Sequence, residues 1–368
     1  MFLPITCLAS FGSISELKVG DTITVFNGVE ICKKYIPRGN RRNSNNWVNG
    51  KRVRKPTHIA PTFYEHIDSP QLAYSLGDFR VGDIIELTDK LHGTSGRTGY
   101  LPLHKQAKRT IWDKILRRPG KEYTEYGYVT GTRRVVLDDN HDGGYYDDNS
   151  FRLEMAKKFE GKLHQGEVVY YEIVGFINKN TPIMASVKNS KIKDKEFSKQ
   201  YGEETVFSYG CDPDGGWDYE VDEILTAETN DNAIDGVATL KKPKCEVYIY
   251  RMTSVNEDGD VVEMSPDQVR YRCEQIGVKT VPVFERFIIP ENVNPGEYVL
   301  RKVEQYYDGP DPIGKTHIRE GVVARIVNRP NIAVFKHKNF NFKVLESIIK
   351  DEREFPDMEE VQEFLKEN

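Results

Sequence analysis

Asp83-Ile84-Ile85-Glu86-Leu87-Thr88-Asp89-Lys90-Leu91-His92-Gly93-Thr94-Ser95 opens as a strand and closes on an amine. The apolar, β-branched residues up to Leu87 have the composition of a strand packed in a sheet. Lys90-Leu91-His92-Gly93 then places a primary amine and an imidazole at the strand's end, before a glycine that punctuates it. K-x-H-G is a short motif, so its weight depends on the rest of the chain.

Outward from it, residues 126–130, 134–137, 167–174, 246–253, 261–264, 321–327 and 332–338 alternate or carry β-branched runs bounded by Gly, Asp, Asn and Pro, and read as strands like 83–87. Helical spacing is confined to 151–163, 266–276 and an acidic tail over 344–365, with Ser150 and Ser265 as N-caps. This pattern predicts an α+β fold with mainly antiparallel sheets.

The chain has 368 residues and a formal net charge of −5, with 38% hydrophobic and 30% charged residues, and 20 Tyr and 17 Phe to anchor a core. That length suits two or three domains. No apolar run reaches the ~20 residues of a bilayer span, and no basic residue precedes the apolar opening 1–9. Membrane spanning and secretion are therefore not expected. Five cysteines at positions 7, 32, 211, 245 and 273 form no close pair, and no Cys/His pairing of zinc type occurs, so reduced thiols and no structural metal are expected. Charge is unevenly spread. Residues 31–64 hold nine Lys/Arg and no Asp or Glu, and 105–121 hold seven Lys/Arg against Asp113. Both read as surfaces for a polyanion, with a solvated basic loop or arm as the other reading of 31–64.

Two motifs lead away from the amine. Residues 309–316 satisfy the P-loop expression G-x-x-x-x-G-K-[ST] with Lys315 in the lysine position, but Pro310 and Pro312 lack the N–H groups that cradle phosphate, and a strand rather than a helix follows. Residues 138–143 open like a calcium loop, yet Asn149 stands where the bidentate Glu is needed.

A lysine that attacks the α-phosphate of a nucleotide needs a lowered pKa, cations on the phosphates, carboxylates for sugar and metal, and a ring for the base. Candidates for each exist. Lys336 and Lys338 share one face of a strand and can both act on Lys90 and on phosphate. Glu172 and Glu320 are carboxylates set in apolar runs, where an idle charge is costly.

Together these residues resemble the ATP-dependent RNA ligases of the covalent (lysyl-AMP) nucleotidyltransferase superfamily, particularly the phage and bacterial enzymes. Lys90-Leu91-His92-Gly93 looks like the nucleophile motif in its His form. The stretch 126–134 is similar to the strand whose Arg meets substrate phosphates, with Arg134 the first choice and Arg133 close behind. Glu172 in Tyr171-Glu172-Ile173-Val174-Gly175 matches the ribose-binding Glu, and Tyr250 the aromatic that stacks on adenine. Glu320-Gly321-Val322-Val323 resembles the metal-binding carboxylate motif, and Lys336-His337-Lys338 the final K-x-K phosphate motif.

The resemblance spans about residues 70–345. It implies an ATP-grasp-like nucleotidyltransferase core of antiparallel sheets with flanking helices over 69–345, behind a basic β-rich region, 1–68, as a candidate RNA-binding module, and before a helical tail, 346–368. It implies ATP and magnesium (Mg2+) as cofactors, with Lys90, His92, Gly93, Arg134, Glu172, Tyr250, Glu320, Lys336 and Lys338 around the nucleotide and Glu320 on the metal. Lys90, Lys336 and Lys338 would be catalytic. The implied partner is RNA with 5′-phosphate and 3′-hydroxyl ends, without a membrane or an obligate protein partner, in the cytoplasm of a bacterium or a phage-infected host.

Departures are visible too. Arg325 stands where the carboxylate motif commonly ends in Lys, and Arg251 follows the stacking aromatic where Asp is usual. Arg97 is a rival for Arg134, and the purpose of 99–125 and 177–244 is not readable. Only 30 residues follow Lys338, too few for the C-terminal OB domain of DNA ligases and capping enzymes. A GTP-using capping-type guanylyltransferase and a non-covalent nucleic-acid-binding or P-loop NTPase protein are the alternative functions.

Overall fold

A computed structural model describes residues 60–348 apart from 68, 108–112, 114, 117–119, 134, 138–149, 215–241, 257 and 330, together with 8–9, 12–15, 17, 25–30, 47–48 and 51–52. The chain divides into two compact units, Met1–Thr57 and His58–Asn368. In the first, Val25–Phe26 pairs with Val29–Glu30, and Trp47–Val48 with Lys51–Arg52, each antiparallel. Most of the basic stretch 31–64, the calcium-like loop and the tail beyond 348 lie outside the described residues.

The second unit runs β1 (Ile84–Asp89), β2 (Thr94–Gln106), β3 (Glu122–Thr132), β4 (Val136–Leu137), α1 (Ser150–Lys157), β5 (Glu167–Asn178), α2 (Lys195–Tyr201), β6 (Cys245–Val255), β7 (Val261–Glu263), α3 (Pro266–Ile276), β8 (Val283–Ile288), α4 (Pro295–Glu304), β9 (Gly321–Ile326), β10 (Ala333–Lys338) and α5 (Phe340–Leu345). Longer strands form two sheets, in the order β7-β6-β5-β2-β3-β4 and β8-β1-β9-β10. The pairings among these strands are antiparallel, while the short strand Lys279–Thr280 runs parallel beside β6, and the fold is α+β.

β5 lies between β6 and β2, and its residues Val168, Val169, Tyr170, Tyr171, Ile173 and Val174 are buried. A near-continuous apolar run is what a strand covered on both faces requires. One face packs on α1 and α3 through Phe151, Met155, Val269, Cys273 and Ile276. α3 follows the sequence reading in full: Ser265 and Gln268 form a reciprocal capping box, Pro266 starts the helix, and Gly277 ends it in the left-handed region.

Three readings change. α1 ends at Lys157 rather than 163, the chain continuing in i→i+3 turns at Lys158, Phe159 and Glu160. α5 starts at Phe340, capped by Asn339, ahead of the expected 344. The third is β2, a strand not read from the sequence: it pairs with β3, which contains the expected 126–130 strand, from Gly96↔Thr132 to Gln106↔Glu122. Its glycines hid it. A Cβ at Gly96 would fall 2.3 Å from the Tyr171 ring, so glycine here serves close packing rather than a turn. Pro102 sits where β2 has left β5 and pairs with β3 alone, so its missing N–H costs no ladder bond on that open side.

Candidate active site

A cavity of about 220 Å³ opens between the two sheets. The larger sheet contributes Ser95, Glu172, Ile249, Tyr250 and Arg251 to its wall, and the smaller Glu86, Thr88, Asp89, Val323, Arg325, Val334 and Lys336, while Lys90 sits at the junction. Ser95, Glu172 and Tyr248 lie abreast on adjacent strands, and Ser95 Oγ donates to Glu172 Oε2 at 3.0 Å. Burial pushes the Glu172 carboxyl up to about 7, against the pull of Lys90 and the Ser95 hydrogen bond. The register of β6 shifts between Ile249 and Arg251, and this bulge brings the consecutive residues Tyr250 and Arg251 to the same wall.

Lys90 follows β1, its N–H bonded to Gly321 O at 3.1 Å. Its Nζ lies 2.6 Å from Glu320 Oε1, and Lys338 Nζ lies 3.0 Å from the same oxygen. Lys338 also bonds Glu346. Burial alone would lift the Glu320 carboxyl, but Lys90, His92 and Lys338 together hold it below the usual carboxylate range. Burial lowers Lys338 in turn, and Glu320 and Glu346 outweigh it, leaving that ammonium above its ordinary value. Lys336 is lowered by burial first, then by Lys90, Arg133 and Lys338. The sequence places cations around the amine; the structure places a carboxylate first, with cations beyond it.

Of the residues singled out in the sequence, Lys90, Glu172, Tyr250 and Lys336 line the cavity. His92, Glu320 and Lys338 form a layer around Lys90 and are absent from that wall. His92 is wedged edge-on between Phe207 at 4.6 Å and Phe342 at 4.8 Å, and burial lowers its pKa, so the imidazole is neutral at neutral pH. Gly93 packs against β5, where a Cβ would fall 2.3 Å from Ile173 O. Arg134 lies outside the described residues, whereas Arg133 lines the cavity. Arg97 is buried under the Phe63 ring, donates to Phe63 O at 3.2 Å, and does not reach the cavity.

The two unusual arginines have partners. Arg251 meets Glu263 through Nε and Nη2 at 2.9–3.0 Å. Arg325 donates to Met264 O at 2.7 Å. Sequence reading missed His66, which lines the cavity 5.0 Å from the Tyr250 ring and whose pKa burial and Arg251 lower to about 3. A solitary histidine in a polar stretch carries no motif. It also missed Glu346, because the pairing with Lys338 depends on α5 turning back after β10.

For a metal, donor atoms of His92, Glu320 and Glu346 lie within 4.8 Å of one another. Glu320 Oε2 is buried without a hydrogen-bond partner among the described residues and faces His92 Nδ1 at 3.8 Å. The P-loop match at 309–316 is a surface turn closed by Asp311 N–H to His317 O at 2.9 Å; a strand follows it, and Lys315 is exposed. No helix among the described residues is long and apolar enough to cross a membrane.

Solved structures of an RNA ligase are similar to this chain. The Naegleria gruberi RNA ligase with PPi is 12% identical, with a TM-score of 0.40, over 79% of this chain and 60% of that one. A mutant of the same ligase with AMP and Mn is 12% identical at a TM-score of 0.40, over 78% and 62%. Another mutant, with ATP and Mn, is 13% identical at 0.40, over 77% and 59%. The match spans about three fifths of the length of those chains. No protein-family description matches the sequence, and no curated protein does.

Proposed function

We propose that this protein is an ATP-dependent RNA ligase that works through a lysyl-AMP intermediate on Lys90. The observation that carries the reading is the Lys90 amine at the wall of the cavity between the two sheets, with Glu320 2.6 Å away, Lys338 on the same carboxylate oxygen, and Lys336 facing the same space. Glu172 and Tyr250 stand on the opposite sheet, and in this reading they take the sugar and the base.

In the first step Lys90 Nζ forms a P–N bond to the α-phosphorus of ATP while the bond from that phosphorus to the bridging oxygen breaks. Pyrophosphate leaves with the bonding pair. The ammonium sheds two protons in all, to water or to the departing pyrophosphate. AMP then passes to the 5′-phosphate of an RNA end, freeing the amine, and a 3′-hydroxyl displaces AMP to form the phosphodiester. Lys336, on the cavity wall, offsets charge gathering on phosphate oxygens, where a fixed cation in a desolvated site acts most strongly, and Lys338 adds its charge from behind the wall through Glu320. Glu320 accepts from both Lys90 and Lys338 and so holds the nucleophile against the phosphate-binding strand.

Magnesium, which the ligase resemblance implies, would be held by the carboxylates of Glu320, whose Oε2 has no hydrogen-bond partner among the described residues, and Glu346, the oxygen donors this ion takes, rather than by the wedged imidazole of His92. When bound it would spread negative charge on the phosphates. Among the described residues no helix is long and apolar enough to cross a membrane; work in the cytoplasm belongs to the ligase reading itself.

Mass spectrometry of protein incubated with ATP and magnesium tests the reading, with one AMP expected on the Lys90 peptide and none on Lys90→Ala. An adduct retained by that variant rejects it. Labelling with GTP but not ATP would make the protein a guanylyltransferase instead.

A further inference from the structure

The turn that carries Lys90 is pinned at three points. Lys90 N–H bonds Gly321 O at 3.1 Å, and Gly93 is seated on Ile173, both through backbone alone. The third point is a side chain 117 residues away in sequence: His92 N–H donates to Tyr209 Oη at 2.6 Å. Tyr209 is 3% exposed and does not line the cavity. It stands at φ +52°, in the left-handed region that a bulky residue seldom occupies and that is held only when the surroundings demand it. Two ring contacts lie around this point. The Tyr209 ring meets His317 edge-on at 4.5 Å, and Phe207, two residues earlier, meets the His92 ring at 4.6 Å.

We propose that Tyr209 is a positioning residue for the nucleophile. Its phenol oxygen, supplied by the segment between β5 and β6, fixes the turn that aims the Lys90 amine, and so governs attack on ATP without touching the nucleotide. The proposal rests on the ligase reading and deepens it. It gives the segment 177–214 and the adjoining loop 309–316 a shared task, bracing the K-x-H-G turn from behind. The two segments meet through Ser208 Oγ and Thr316 Oγ1 at 3.3 Å.

Only the first and second steps involve a bond to Lys90. Sealing of an RNA already carrying AMP on its 5′ end uses the same cavity and fold, yet Lys90 forms no bond in it. A clamp on the nucleophile therefore separates the steps, and a residue needed only for folding does not.

The experiment compares Tyr209→Phe with wild type on two substrates, ATP alone and pre-adenylylated RNA with a 3′-hydroxyl acceptor. Tyr209→Phe is expected to slow adduct formation about tenfold, the scale of one lost hydrogen bond, with the KM for ATP unchanged. Sealing should stay within about twofold of wild type. An unaltered first step in Tyr209→Phe, or an equal fall in both steps, overturns the proposal. A wild type that forms no adduct refutes the parent reading, and that failure is seen before any variant is measured.

Discussion

Lys90 and Glu320 are joined at 2.6 Å although 230 residues separate them, and the oxygen that accepts from Lys90 also faces Lys338 at 3.0 Å. One buried carboxylate therefore ties the nucleophile's turn to the strand that holds Lys336 and Lys338. Glu320→Gln keeps the shape and removes the charge, leaving two ammonium groups without that counter-ion. Losing one partner of a buried ion pair costs about 3–5 kcal/mol, and loss of a pre-organised electrostatic contact costs about 10²–10³ in rate. The variant should melt lower and form lysyl-AMP at least ~100-fold more slowly. Adduct formation at the wild-type rate would show that the pairing has no part in placing the amine.

Glu172 supplies a pH dependence with a definite sign. Burial raises its pKa from 4.5 to about 7, so between those values the folded chain binds a proton that the unfolded chain has released. Stability from this group falls as pH rises through the window and is flat above it. Glu172→Gln has no such proton. Its melting temperature relative to wild type should climb from pH 5 to pH 8, by the equivalent of at most ~3 kcal/mol. A difference constant across that range would mean that Glu172 titrates normally.

Much of this site was legible in advance because its residues sit on strands whose apolar runs are long: β5, β6, β9 and β10 could each be read and then searched for the charge that did not belong. Glu172, Glu320 and the Lys336/Lys338 pair emerged in that way. What escaped has a common cause, which is dependence on distant partners. Gly96 looks like a breaker until Tyr171 is seen against it, and Glu346 looks like tail acidity until α5 folds back to Lys338. The positioning role proposed for Tyr209 depends on a register between two segments that no local pattern encodes. The layer of His92, Glu320 and Lys338 around Lys90, away from the cavity wall, was equally invisible, since spacing along a strand fixes the face and not the depth.

Tyr250 stands on the cavity wall beside His66, reached through the bulge in β6. Stacking of a base on an aromatic ring is worth about 1–3 kcal/mol, so Tyr250→Ala should raise the KM for ATP roughly 10- to 100-fold. Tyr250→Phe retains the ring and should stay near wild type, because its phenol takes no part in the proposed contact. Steady-state adduct formation at varied ATP checks both. Equal loss in the two variants would assign the residue's role to the hydroxyl and remove the stacking argument.

Gly96 tests the packing of the sheet that positions Glu172 and Ser95, and Gly77, in the turn Leu76–Asp78 outside that sheet, is its control. A Cβ at Gly96 would lie 2.3 Å and 2.7 Å from two atoms of the Tyr171 ring, and that ring is fully buried with its hydroxyl 2.9 Å from Thr98 Oγ1. It has nowhere to go. Overpacking of this kind costs about 1–3 kcal/mol, so Gly96→Ala should lower the melting temperature by several degrees. Gly77 meets nothing within 4 Å of an added Cβ, and Gly77→Ala should be neutral or slightly stabilising, since it only narrows the unfolded ensemble. Because Ser95 precedes Gly96 and donates to Glu172, the Gly96 variant should also weaken ATP use even at temperatures where it is folded. Full activity in a folded but destabilised Gly96→Ala would show that β2 can shift locally without moving the cavity wall.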